Sequence, residues 1–258
     1  MNRKFPALFV SHGAPSMVIE PCPTRSFLVQ LGQELGTPAG IVCVSAHWTT
    51  AKPRVTLHPH PPTIHDFGGF AEELHHMEYP APGDPQLGRR VLALLEARGL
   101  NGEPDPVRGY DHGAWSPLML MYPQAEVPLV QLSVQPHRGP EYHLELGRAL
   151  APLREEGILI LASGSTTHNL ADFFGRSLDA APLHYAREFA EWLKEGVEAG
   201  RLEELLAYQE RAPQANRNHP TPEHLLPFYV ALGTGGAGRQ IHDAYTYGAL
   251  SMAAFRWD

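Results

Sequence analysis

The chain of 258 residues carries 20 Lys and Arg against 28 Asp and Glu, a formal charge of −8 with histidines neutral, and 43% of it is hydrophobic. That balance allows a sizeable core and leaves no cationic run for a nucleic-acid backbone or an anionic membrane surface. The two cysteines, Cys22 and Cys43, make neither a disulfide framework nor a CxxC pair, and no apolar stretch reaches membrane-spanning length, so a cytoplasmic protein is expected.

Residues 7–11 (ALFVS) and 40–45 (GIVCVS) read as buried strands, near-continuously apolar and bounded by turn residues. Proline-rich residues 22–24 and 59–62 read as loops inside the domain. Residues 85–98 place apolar side chains three and four apart, the pattern of an amphipathic helix that closes at Gly99. A strand at 127–132, a helix at 141–153 and a strand at 157–163 follow, then helices at 185–199 and 202–208 separated by Gly200. Strands alternating with helices predict an α/β fold: one domain spanning 1–258, with a central, mainly parallel sheet flanked by helices.

Fifteen histidines are the compositional anomaly, and they form no tract, so any shared role must be assembled by folding. Three buried strands lead to one: VSHG at His12, VSAHW at His47 and ASGSTTHN at His168. Ligands in open α/β sheets bind beyond the carboxyl ends of strands, so these imidazoles are expected to converge there, among small neighbours that permit close approach. His224 is a fourth candidate, placed in a first helical turn by Thr221 as N-cap and Pro222 as first helical residue. His219 is a rival in an Asn-rich stretch, and Glu223 is expected to point away from its neighbour. The segments HDFGGF and YDHGAW add His65 and His112 as groups facing a substrate.

Each of these histidines has an ordinary alternative. His12 suits a turn, His47 packing beside Trp48, His168 a polar loop, and His65 a loop anchored by aromatic rings. Other chemistries find less support, since no GxSxG, P-loop, GxGxxG or HExxH occurs. The glycine-rich 233–238 follows an apolar helix rather than a strand, and Cys43 lies mid-strand as a small core residue.

Taken together, ALFVSHGAP, VSAHW, PPTIHDFGGF, YPAPG, DHGAW, VPLVQLS, ASGSTTHNL, PTPEHLLPFYVALG and YGALSM resemble the class III extradiol ring-cleavage dioxygenases, in their DOPA-dioxygenase-type branch. The matching pieces run in order over nearly the whole chain. The resemblance implies an α/β fold and a metal held by His12, His47 and His224. It implies that His168 is either a fourth ligand or the acid–base for the catechol proton. The wider class has a carboxylate as its third ligand, and the matching position here is His224, which bears on the choice of metal.

One divalent metal is therefore expected, Fe(II) for dioxygenase activity, with Zn(II) suited to a closed four-histidine set. A small catechol and O2 are the expected partners, with His168 and His112 catalytic and His65 and His112 lining the substrate side. Two alternatives stand beside this: a zinc hydrolase using the same cluster to activate water, and a non-catalytic metal-binding protein on the same fold.

Overall fold

The computed structural model describes residues 3–258. The chain runs through β1 (Ala7–Ser11), α1 (Pro23–Leu35), β2 (Gly40–Thr49), β3 (Arg54–Thr56), α2 (Pro85–Glu96), β4 (Glu103–Asp105) and α3 (His112–Met121). It continues through β5 (Leu129–Val134), α4 (Gly139–Leu150), β6 (Ile158–Gly164) and α5 (His184–Glu198). Three short helices, α6 (Leu202–Leu206), α7 (Tyr208–Arg211) and α8 (Ala215–Asn218), precede α9 (Leu226–Gly233) and the strands β7 (Gly238–His242), β8 (Tyr245–Thr246), β9 (Leu250–Ser251) and β10 (Ala254–Trp257).

Eight of the strands form one sheet in the order β4-β3-β5-β2-β6-β1-β10-β7. The four runs read as buried strands are its centre, β5-β2-β6-β1, and all run parallel. β10 and β7 add an antiparallel edge. Near-continuous apolar character follows from burial on both faces. Phe9, Val42, Val44 and Ile160 pack on one face with α2, α4, α5 and α9; Leu8, Val10, Ile41, Cys43 and Leu161 pack on the other with α1 and α3. Cys43 is thus a core residue, and burial raises its thiol pKa well above the usual value.

Two expectations need correction, at residues 22–24 and at His224. Residues 22–24 are not a loop: Cys22 is the N-cap and Pro23 opens α1, where its missing N–H costs nothing. The segment around His112 is also helical, with Asp111 as N-cap accepting from the backbone N–H of Ala114 at 3.3 Å. The helix near His224 begins later than expected, at Leu226, so His224 lies in the turn that precedes it. The glycine-rich 233–238 ends α9 and turns the chain into edge strand β7. Among the described residues no helix is long and apolar enough to cross a membrane.

Candidate metal centre

β2, β6 and β1 are neighbours, so their carboxyl ends open on one rim. His12 follows β1 directly, and its backbone N–H donates to the Gly164 carbonyl at 3.0 Å. His47 sits where the register of β2 against β5 shifts, between Val44 and Thr49, an irregularity of the kind that re-aims side chains. His224 comes from the far side of the chain and is pinned by its backbone. Its carbonyl accepts from Ser165 N–H at 2.8 Å, and a Cβ on Gly164 would lie 2.1 Å from that same oxygen. Only glycine permits this approach.

The three imidazoles meet through one atom each. His47 Nε2 lies 3.0 Å from His12 Nε2 and 3.3 Å from His224 Nε2. Every opposite nitrogen is already engaged. His12 Nδ1 is 3.0 Å from Ser163 Oγ, whose own proton goes to the Gly113 carbonyl, so the imidazole must be the donor. His47 Nδ1 faces Asp66 Oδ2 at 3.2 Å, and His224 Nδ1 faces Glu223 Oε1 at 3.0 Å. In a neutral imidazole only one nitrogen carries hydrogen, so a hydrogen placed on Nδ1 by these partners leaves the Nε2 lone pair pointing at the shared point.

Three converging lone pairs repel one another unless a cation lies between them. Nitrogens that share a metal at ~2.1 Å stand roughly 3.0 to 3.4 Å apart, so the spacing fits a shared ion. Burial, followed by the neighbouring imidazoles, drives the pKa of His12 and of His224 well below the ordinary histidine value. Both are therefore neutral, the form a metal requires.

His168 lies beside this trio rather than in it. Its ring stacks face to face on His224, with centroids 3.5 Å apart and planes 8° apart. Its nitrogen groups with Glu223 and His224 instead of with the point shared by His12, His47 and His224. Burial, with His219 adding to it, brings its pKa down to about 4.

His112 opens α3 with its ring 3.9 Å from that of His47. Its Nδ1 donates to Asp66 Oδ1 at 2.8 Å, and its backbone N–H donates to the same oxygen at 3.0 Å. Asp66 therefore bridges His112 and His47. Burial opposes its charge, but the hydrogen bonds from His112 and His47 outweigh that and hold its carboxyl well below the ordinary carboxylate range.

Two expectations fail here. His65 does not line the cavity: its Nε2 donates to the Met77 carbonyl at 2.8 Å and its ring packs on Phe67 and Trp115, anchoring the loop. Glu223 does not point away, because outside a helix neighbouring side chains are free to meet. His219 is buried, donates from Nε2 to the Thr166 carbonyl at 2.8 Å, and packs against Phe189 and Tyr208 away from the trio.

Sequence reading missed Asp66, Ser163 and the network behind His47. Buried Asp111 accepts from Ser45 Oγ at 2.6 Å, from Arg108 at 3.1 Å and from Gln131. The His-Asp pair at 65–66 was the available signal, but alternation alone does not tell which of two loop neighbours faces inward.

His12, His47, His112 and His168 floor a cavity of about 380 Å3 whose other walls are largely aromatic and aliphatic. A mainly parallel sheet whose strand ends gather imidazoles beneath an apolar, substrate-sized cavity could hold one metal ion beside a small aromatic molecule. A family model described as the catalytic LigB subunit of aromatic ring-opening dioxygenase matches residues 7–255, and the chain belongs to that family.

Similar proteins include the 4,5-DOPA dioxygenase extradiol of Beta vulgaris, 40% identical over 96% of this chain and 95% of its own length. The Escherichia coli K12 protein of the same name is 41% identical over 97% of this chain and 94% of its own length. A crystal structure of an uncharacterized Escherichia coli K12 protein superposes with a TM-score of 0.83 at 34% identity, covering 99% of this chain and 100% of that one.

Proposed function

We propose that the chain is a non-haem, metal-dependent extradiol dioxygenase that opens the ring of a small catechol with O2. In this reading His12, His47 and His224 hold one divalent metal. The supporting observation is the geometry: three Nδ1 atoms facing Ser163, Asp66 and Glu223, and three Nε2 atoms each within 3.3 Å of a neighbour. When bound, Fe(II) would supply the electron-transfer chemistry between catechol and O2 that no amino-acid side chain offers.

The protein's own groups handle protons and water. His168, its pKa brought down to about 4 by burial, is neutral at pH 7 and serves as the base for a catechol hydroxyl. His112 presents Nε2 as an acceptor, because Asp66 takes the Nδ1 proton. Phe67 and Phe70 line the cavity and exclude water from these groups. The relatives' names make DOPA-like catechols the first substrates to try.

A zinc hydrolase is the second reading, favoured by the all-nitrogen donor set. Apo-protein reconstituted anaerobically with Fe(II) or with Zn(II), then mixed with catechols in air, separates the two. A ring-opened yellow product from the Fe(II) sample alone supports the dioxygenase. His47→Ala is expected to abolish metal retention by elemental analysis, and full retention would overturn the ligand assignment. His168→Gln is expected to cut turnover while metal stays bound; complete loss of metal would make His168 a ligand instead.

A further inference from the structure

We infer that the cavity selects catechols with an uncharged, apolar substituent over catechols with a zwitterionic amino-acid side chain. The inference rests on the ring-opening reading for the catechol itself and on the cavity wall for the substituent.

Beyond the imidazole floor, the wall is built by Phe67, Phe70, Leu170, Phe173, Phe174 and Leu250, together with small residues. Among the described residues, no Lys, Arg, Asp or Glu lines it. Ser165 Oγ, the one side-chain hydroxyl that the described residues bring to the wall, donates to the Thr167 carbonyl at 2.7 Å.

Several charged groups near the wall in sequence already hold hydrogen-bond or ionic partners of their own. Asp66 serves His47 and His112. Asp172 pairs with Arg217 at 3.1 Å. Arg176 donates to the Tyr247 carbonyl at 2.8 Å, and Glu20 accepts from the Tyr247 hydroxyl at 3.1 Å. A substituent's carboxylate and ammonium would lose water in this cavity without gaining an ionic partner.

The mouth points the same way. Phe174 is 73% exposed and Leu170 46% exposed, and both line the cavity. Large apolar side chains held out at a cavity entrance mark a surface that an apolar ligand covers. An alkyl or aryl substituent passing between them removes apolar area from water on both sides.

The test is equilibrium binding to the metal-loaded protein under anaerobic conditions, by calorimetry. The ligands are a para-propyl catechol, L-DOPA, and the catechol whose three-carbon chain ends in a carboxylate. The propyl compound is expected to bind at least about tenfold more tightly than either charged one, because the charged chains must shed water without an ionic partner. Equal or tighter binding of L-DOPA would overturn the inference.

Leu170→Arg puts a cation at the exposed mouth and is expected to tighten the carboxylate several-fold, narrowing the gap. An unchanged gap would also count against the inference. Admitting air to the same samples keeps the two claims apart. A binding preference without ring opening supports the apolar cavity and sinks the enzyme reading; ring opening without the preference does the reverse.

Discussion

A neutral imidazole has one proton to place, and the second atom it touches decides where its lone pair points. Asp66 makes that decision for both His47 and His112, so its role exceeds that of an ordinary loop acid. Asp66→Asn keeps the shape but weakens the acceptor; metal affinity is expected to fall about 10- to 100-fold by competition titration. Unchanged affinity would show that His47 orients itself. Gly164→Ala drives a methyl into the His224 carbonyl, 2.1 Å away. It is expected to cost about 1–3 kcal/mol in urea unfolding and to weaken metal binding together. A loss of stability with metal affinity intact would mean that the His224 turn adapts. That His12, His47 and His224 meet was legible from two strand ends, an expected first helical turn and the family resemblance. Their partners were not: Ser163 and Asp66 acquire meaning only when distant segments meet, Glu223 was expected to point away from His224, and His65 drew the attention that belonged to Asp66.

Helices and strands were readable where one face differs from the other. α2, α4 and α5 show apolar stripes and were expected within a few residues of their ends. α3 escaped because it is buried nearly all round, carries Pro117 inside and so has no periodicity to read. α1 escaped because Pro23 reads equally as a loop residue or a first helical residue, and β10 because Arg256 interrupts its apolar run. One element also carries a pH prediction. In α4, His143 Nδ1 donates to the Gly139 carbonyl at 2.6 Å, while the backbone N–H of Gln135 donates to Nε2 at 3.1 Å. Burial brings its pKa down to about 4. The folded protein therefore takes up this proton less readily than the unfolded chain, whose value is ~6.5. Stability from this group is complete above about pH 6.5 and is lost as pH falls toward 4, on the order of 3 kcal/mol in all. His143→Gln is expected to flatten the fall of the urea midpoint over that range, and an identical slope would remove His143 from the account.

At the scale of the molecule, the fold brings the imidazoles at positions 12, 47 and 224 to one point, so in the proposed reading a metal there would tie distant segments of the chain together. A ligand that binds only the folded form stabilises it by mass action, about 2.7 kcal/mol at a hundredfold excess over Kd. Adding Zn(II) or Fe(II) to the apo-protein is therefore expected to raise the thermal midpoint, and the rise is expected to vanish in His47→Ala. An equal rise in that variant would place the ion elsewhere. The central claim is that this centre carries O2 chemistry on a catechol ring. Its most direct test is mass spectrometry of the product formed by Fe(II)-loaded protein from a catechol under oxygen-18 gas. Incorporation of both atoms of one O2 molecule into a ring-opened product is the predicted result. Sustained absence of labelled, ring-opened product, with Fe(II) bound and the catechol shown to occupy the cavity, would contradict it.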